Sequence, residues 1–467
     1  MKNQKKVYTG IFRDGGAGKF AKRRFRERRK KLMEREHKLM VVTGVPYGPE
    51  GETVWSYAYC ATYQEPAMMY LTGINQPNVV LLLDPDSNES DEILFVAEKD
   101  LKLEFWNGIR FGVGDEKSVR EVQKVTGIKD VRDIHDLKKV VKERFLKQKN
   151  KQLGTLWLEG VKNGKKAEIT TDHNWAFKTR LSRWVHSWNS SGDGLVNIMK
   201  GHFDLRLPLD TYDVANTQKA SDVTGNAFKA TLKNFRTFDS EYQVQGFLEG
   251  QMSMHSPYGL SFPSIVASGH NATVLHYMKN DDEFTRNELV LMDFGVRWMT
   301  MHADISRTVP ASGRFNPLQK MLYEIVLQAQ KNVQKKAKMG VSIDELNDCC
   351  WGSINADLLN VFKKAGGKCR LKYTNRPHGV SHLMGEQEHD GDPFRNYCGE
   401  PMKAGWLISN EPGLYGKFKI KLNGKTYDEE IGIRIEDNLL ITETGCLNMS
   451  RKIPKTVAEI ERLMAKK

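Results

Sequence analysis

The stretch MDFGVRWMTMHADISRTVP, residues 292–310, decides the reading of the fold. Leu289, Val290, Leu291 and Met292 lead into it as a buried strand, and that strand ends on Asp293. A second carboxylate, Asp304, follows eleven positions later. Taken as a hairpin centred between Trp298 and Met299, the stretch makes the two aspartates cross-strand neighbours with Cβ atoms about 5 Å apart. Two buried carboxylates that close repel each other, so they need a shared proton or a cation between them.

The same device recurs downstream. In ISNEPGLY, Glu411 stands at a strand end, and EEIGIRIEDNLLIT alternates Ile431, Ile433 and Ile435 with Gly432, Arg434 and Glu436, the period of a strand. The midpoint between Glu411 and Glu436 is Asn423-Gly424, a dipeptide that favours two-residue hairpin turns. Between the hairpins lies PHGVSHLMG, with His378 and His382. Asp293, Asp304, Glu411, Glu436 and one imidazole form a coherent ligand set for two divalent cations. Four negative charges balance two such ions. Oxygen-rich ligation favours Mn2+ and accepts Co2+, Fe2+ or Zn2+. A closed structural zinc site would use cysteine or more histidine. Two such ions about 3.5–4 Å apart can bridge a hydroxide and polarise a carbonyl, which is the chemistry of peptide hydrolysis.

Around this centre, the chain from about 206 onward predicts helices over 212–234, 240–255, 317–338 and 343–365, interleaved with strand-rich segments. The order helices, strands, helices, strands suits two similar halves. Residues 41–195 have a different pattern. VVLLLDP and EILFVAE predict short buried strands on either side of a DSNESD turn, and residues 118–150 predict one long helix. This alternation points to an α/β domain, with NSSGDG (189–194) as its boundary.

The charge of the 467-residue chain is uneven. Its net +13 is concentrated in residues 1–40, where 15 Lys or Arg stand against four acids, leaving only about +2 elsewhere. Residues 20–40 predict an amphipathic helix with Phe25, Leu32 and Leu39 at apolar spacing. Such an arm could also touch nucleic acid or another anionic surface. GGAGKF is not a phosphate loop, because Arg13 replaces the first glycine and Phe20 the Ser or Thr. At 39% hydrophobic and 28% charged residues the composition is that of a soluble globular protein. It contains no membrane-spanning run or secretory signal. The six cysteines lack a CxxC pair and read as reduced thiols of a cytoplasmic protein.

The segments PSIVASGHNATVLHY, MDFGVRWMTMHADISRTVP, HGVSHLMGEQEHD, ISNEPGLY and GIRIEDNLLIT resemble, in order, the motifs of Xaa-Pro aminopeptidases (aminopeptidase P) and prolidases, the pita-bread metallopeptidases. YLTGINQPNVVLLLDP (70–85) extends the resemblance into the N-terminal domain. The resemblance implies an α+β protein: a pita-bread catalytic domain of two αββ halves over 206–467, behind an N-terminal α/β domain with a mixed sheet over 41–195 and the basic arm of 1–40. It implies that Asp293 binds one metal ion, that Asp304 and Glu436 bridge both, and that His382 and Glu411 bind the second, with Glu411 also shuttling a proton. It assigns His276 and His389 to the substrate and the developing oxyanion, and places His378 and Arg434 behind the ligands, orienting them. The implied reaction is release of the N-terminal residue preceding a proline by a bridging hydroxide, and the implied partners are peptides with proline second and further copies of the chain (dimer or tetramer). A prolidase restricted to dipeptides is the nearest alternative. A methionine aminopeptidase fits less well. A non-catalytic pita-bread protein that binds nucleic acid or protein is an alternative of another class. Two departures stand out: VRWMTMHA has no glycine at the first hairpin's turn, and Ala67 falls where many aminopeptidase P members carry an acid.

Overall fold

The computed structural model describes residues 19–45, 64–107, 109–189, 194–373 and 375–465. Cys60, most of GGAGKF and the middle of NSSGDG lie outside them. The chain separates into two compact units, one ending at Arg206 and the other beginning at Leu207; only residues 392–394 group with the first unit from beyond that point.

The first unit is built on a six-stranded mixed sheet in the spatial order Asp130–Asp133, Glu92–Val96, Val79–Leu83, Leu39–Thr43, Leu153–Thr155, Leu195–Asn197. Leu39–Thr43, Val79–Leu83 and Glu92–Val96 pair antiparallel in series, and the outer pairings are parallel. The sheet is covered on both faces, which is why its central strands Leu39–Thr43, Val79–Leu83 and Glu92–Val96 are almost continuously apolar. Met40, Val42, Leu81 and Leu94 pack into one core, while Leu39, Val41, Val80, Leu82, Ile93 and Phe95 pack into the other.

The single helix expected over 118–150 is instead two helices, Glu116–Thr126 and Leu137–Lys147, with the strand Asp130–Asp133 between them. Gly127 adopts φ 76° and ends the first helix. Residues 130–133 then gain more from pairing with Glu92–Val96 than from continuing the helix. The basic helix Lys19–Glu36 packs by the spacing read from sequence, with Phe25 and Leu32 buried. Its charge is partly internal. Arg29 is fully buried, forks onto both Glu92 oxygens at 2.9 Å and donates to the Leu71 carbonyl at 2.8 Å. Among the described residues no helix is long and apolar enough to cross a membrane.

One contact in this unit carries a pH-dependent load. His173 opens the helix His173–Trp188 with Nδ1 3.1 Å from Asp172 and Nε2 3.1 Å from Glu65. Burial works against charge on the imidazole, but the two carboxylates outweigh it and push the pKa from 6.5 up to about 9. Since the folded value lies above the unfolded one, the stabilisation is complete below pH 6.5 and disappears as pH rises through 9. His173→Gln is expected to cost about 2–3 kcal/mol at pH 6 and almost nothing at pH 10. Urea unfolding of both proteins at the two pH values checks this; an equal gap at both would refute it.

The second unit has two halves. The helices Thr211–Asn234 and Glu241–His255 precede a three-stranded sheet of Ile265–Ser268, Leu289–Phe294 and Ile305–Pro310. The helices Pro317–Lys336 and Ile343–Ala365 precede the sheets built on the hairpin Gly413–Leu422/Lys425–Arg434 and on the strands Leu407–Asn410 and Asp437–Ile441. Asn316 and Ser342 close capping boxes at the two later helices, so each starts at a sharply defined residue.

Both hairpins form, with different outcomes for the expected register. In the second, Gly413 faces Arg434 and Leu422 faces Lys425, so extension of the ladder sets Glu411 opposite Glu436. Asn423 and Gly424 form the turn, both at positive φ (48° and 81°). In the first hairpin Asp293 pairs with Ser306, not Asp304. The turn is Met299-Thr300, with Met299 at φ 56°, so the axis is displaced by one position from the one expected. Asp304 is then the diagonal neighbour of Asp293 on the same face, since side chains repeat every two residues.

Candidate metal centre

Strand ends deliver the acids. Asp293 sits near the end of Leu289–Phe294, Asp304 precedes Ile305–Pro310, Glu411 falls between Leu407–Asn410 and Gly413–Leu422, and Glu436 falls between Lys425–Arg434 and Asp437–Ile441. His382 comes from the segment between Ile343–Ala365 and Leu407–Asn410, next to Leu383–Met384. Asn347, on the helix Ile343–Ala365, accepts from the Val380 amide at 2.7 Å, and the Glu411 amide donates to the Val380 carbonyl at 2.9 Å. These two bonds fix the histidine segment against the acids.

One ligand atom each of Asp304, His382 and Glu436 lies within 4.8 Å of the other two, all buried. His382 Nε2 is 3.5 Å from Asp304 Oδ2 and 3.6 Å from Glu411 Oε1. Its Nδ1 lies 3.1 Å from the Leu383 carbonyl, which can only accept, so Nδ1 carries the proton and the Nε2 lone pair faces the acids. Burial holds this imidazole neutral, well below its usual pKa. Asp293 lines the same cavity of about 450 Å3, as do His276, His378 and His389.

The electrostatics are those of a site built for cations. Burial, reinforced by Glu436 and Asp293, pushes Asp304 well above the carboxylate range. Burial with Glu411 and Asp293 does the same to Glu436, and Glu411 is pushed up to about 7. Asp293 Oδ1 and Glu436 Oε1 are buried without a hydrogen-bond partner. Orphaned acceptors beside a lone pair fit a divalent ion, which would satisfy all of them together. Among the described residues this is the cluster with the spacing a metal needs. A larger cavity in the first unit, about 590 Å3, is lined by charges that already meet each other: Arg144 is 3.5 Å from Asp84 and 3.2 Å from Glu89.

The surrounding groups form a connected frame. Arg434 Nη2 donates to Asp293 Oδ2 at 2.6 Å and Nε donates to Ser306 Oγ at 2.8 Å, while Ser306 Oγ donates to Glu436 Oε2 at 2.9 Å. Tyr415 OH accepts from Arg434 Nη1 at 3.4 Å and lies 3.1 Å from His378 Nε2. His378 Nδ1 donates to the Gly379 carbonyl at 2.9 Å, and burial drops its pKa to about 4. His389 stacks on His382 with ring centroids 3.9 Å apart and is half exposed, and His276 is exposed.

Four residues of this site went unassigned in the sequence. Ser306 is found only through the true register, which sets it opposite Asp293. Glu388, pushed up to about 7 by burial with Asp293 and Glu411, and Arg395 both line the cavity from the loop after His382. Tyr415 lies within ISNEPGLY, where an apolar packing role is the simpler reading.

Residues 215–443 match metallopeptidase family M24, and residues 25–153 match the N-terminal domain of aminopeptidase P. The chain is 28% identical over 411 residues to an Xaa-Pro aminopeptidase of Haemophilus influenzae, covering 86% of this chain and 88% of that one. It is 28% identical over 413 residues to intermediate cleaving peptidase 55 of Saccharomyces cerevisiae, covering 86% and 76% respectively. Its structure is similar to that of Pseudomonas aeruginosa aminopeptidase PepP, with a TM-score of 0.78 at 25% identity over 95% of this chain and 98% of the other. Both domains, in their order along the sequence, and the catalytic fold are thus shared with these proteins, and the chain belongs to metallopeptidase family M24, with an N-terminal domain of the aminopeptidase P type.

Proposed function

We propose that this chain is an Xaa-Pro aminopeptidase, a metal-dependent exopeptidase that releases the N-terminal residue before a proline. The observation that carries the proposal is the convergence of Asp304, His382 and Glu436 within 4.8 Å, beside Glu411 and the orphaned Asp293 Oδ1. Asp293 would hold one divalent ion, His382 and Glu411 a second, and Asp304 and Glu436 would serve both; the oxygen-rich set favours Mn2+. When bound, such ions supply Lewis acidity that polarises the scissile carbonyl and acidifies the attacking water.

The chain's own groups do the rest. Glu411, beside His382 Nε2 at 3.6 Å, is placed to take a proton from the water and return it to the leaving proline nitrogen. That nitrogen has no N–H, so a peptidase that grips the scissile amide hydrogen fails on it, whereas this cavity asks nothing of it. His276 and His389 face the cavity from two different loops, placed to steady the carbonyl oxygen as charge builds there. Arg434 and Ser306 keep Asp293 and Glu436 from turning away. The free thiols Cys349, Cys350, Cys369, Cys398 and Cys446 suit a reducing compartment such as the cytoplasm.

The test is to strip the protein with a chelator, restore it with Mn2+, Co2+, Fe2+ or Zn2+ in turn, and follow release of the first residue from Ala-Pro-Ala. The stripped protein should be inactive and Mn2+ should restore turnover. No hydrolysis with any ion would overturn the assignment, and cleavage of Ala-Pro but not Ala-Pro-Ala would make the chain a prolidase.

A further inference from the structure

His276 is exposed and stands in a long connection, between Ser268 at the end of one strand and Leu289 at the start of the next. Such a segment would ordinarily leave a side chain loosely placed. Here the connection is tied to one buried acid. Glu241, the first residue of the helix Glu241–His255, is fully buried. Its Oε1 accepts from the Ser268 amide at 2.7 Å, the Ser268 hydroxyl at 2.8 Å and Asn271 Nδ2 at 3.1 Å. Its Oε2 accepts from Tyr277 OH at 2.9 Å and the Asp282 amide at 3.2 Å. Its own amide donates to the Asp282 carbonyl at 2.9 Å. Five donors saturate a carboxylate, and the four residues that supply them bracket His276, with Tyr277 its direct neighbour.

The other side of the connection is held as well. Lys372 Nζ donates to Thr273 Oγ1, and Tyr373 OH donates to the Thr273 carbonyl. A Cβ at Gly432 would collide with the Ala272 carbonyl oxygen, so the strand that carries Arg434 presses directly on the turn before His276.

We propose that Glu241 is a positioning residue for the peptidase reaction: it holds the connection 268–282 in the one shape that delivers His276 to the cavity. The inference rests on the aminopeptidase reading, in which His276 meets the substrate. A glutamine at 241 keeps the volume but sets an NH2 against donors that need an acceptor.

The test is a double-mutant cycle on the full, Mn2+-loaded chain with Ala-Pro-Ala: wild type, Glu241→Gln, His276→Ala and the double variant. Glu241→Gln should lower kcat tenfold or more with metal content unchanged, and should cost less than twofold when His276 is already alanine. Losses that multiply would overturn the inference, as would a Glu241→Gln protein that turns over normally, or a His276→Ala protein with full activity. An inactive wild type would instead bring down the aminopeptidase reading, and the inference with it. If Glu241→Gln does not fold, Tyr277→Phe removes one donor from the loop side, and the same cycle with it decides the matter.

Discussion

His382→Ala is expected to release the metal and to lower peptidase activity by about a hundredfold or more, because an imidazole that meets the ion directly should matter at least as much as the outer partners whose loss costs 10–100-fold. The imidazole offers the one nitrogen donor in the cluster of Asp304, His382 and Glu436. Its removal leaves an all-carboxylate site in which burial already drives Asp304 and Glu436 toward the neutral form. A neutral carboxyl is a poor ligand, so the losses compound. Metal content by elemental analysis and turnover of Ala-Pro-Ala should fall together, while the helical signal in circular dichroism stays. Full occupancy by metal in the alanine protein would show that His382 is not a ligand.

Asp437→Ala should be the most damaging single change to stability, by about 3–5 kcal/mol. Arg307 and Asp437 are both fully buried, with Nη2 to Oδ1 at 2.8 Å. Lys455 Nζ also donates to Asp437 Oδ2, and Asn448 Nδ2 donates there at 2.8 Å. Burial opposes charge on Asp437, and Arg307 and Lys455 outweigh it and hold its pKa down. Alanine would leave the buried Arg307 guanidinium, and the partly buried Lys455 ammonium, without their counter-charge. Arg307 Nη1 also donates to the Glu436 carbonyl, so the backbone of a candidate ligand would loosen at the same time. Urea unfolding should show the loss as a lower midpoint, and a change below 1 kcal/mol would refute the account. Asp437→Asn, which keeps the shape, should cost less.

The second hairpin could be read from sequence because Asn423-Gly424 is one of the few dipeptides at ease with φ positive at both positions. Its register follows from the turn alone, and with it the facing of Glu411 and Glu436. The first hairpin gave no such sign. Met299-Thr300 has neither glycine nor asparagine, so only the two aspartates mark a midpoint, and the true axis lies one position beyond it. The alternation of strands still kept Asp293 and Asp304 on one face, which is why the acids were recognisable and Ser306 was not. The helix expected over 118–150 ends at Gly127, which takes the left-handed cap conformation at no steric cost, and residues 130–133 then pair with Glu92–Val96. In the basic helix, Phe25 and Leu32 are buried as their spacing implied, whereas Leu39 lies beyond the helix end at Glu36 and opens the strand Leu39–Thr43; nothing in a run of cations marks Arg29 as the one that turns inward to Glu92.

The orphaned oxygens of Asp293 and Glu436 have one further consequence. A fold that crowds like charges together away from water is less durable than the same fold with those charges erased. Laboratory selection for heat resistance alone should therefore converge on amides or small apolar residues at these positions, and would yield a sturdier protein that has lost its chemistry.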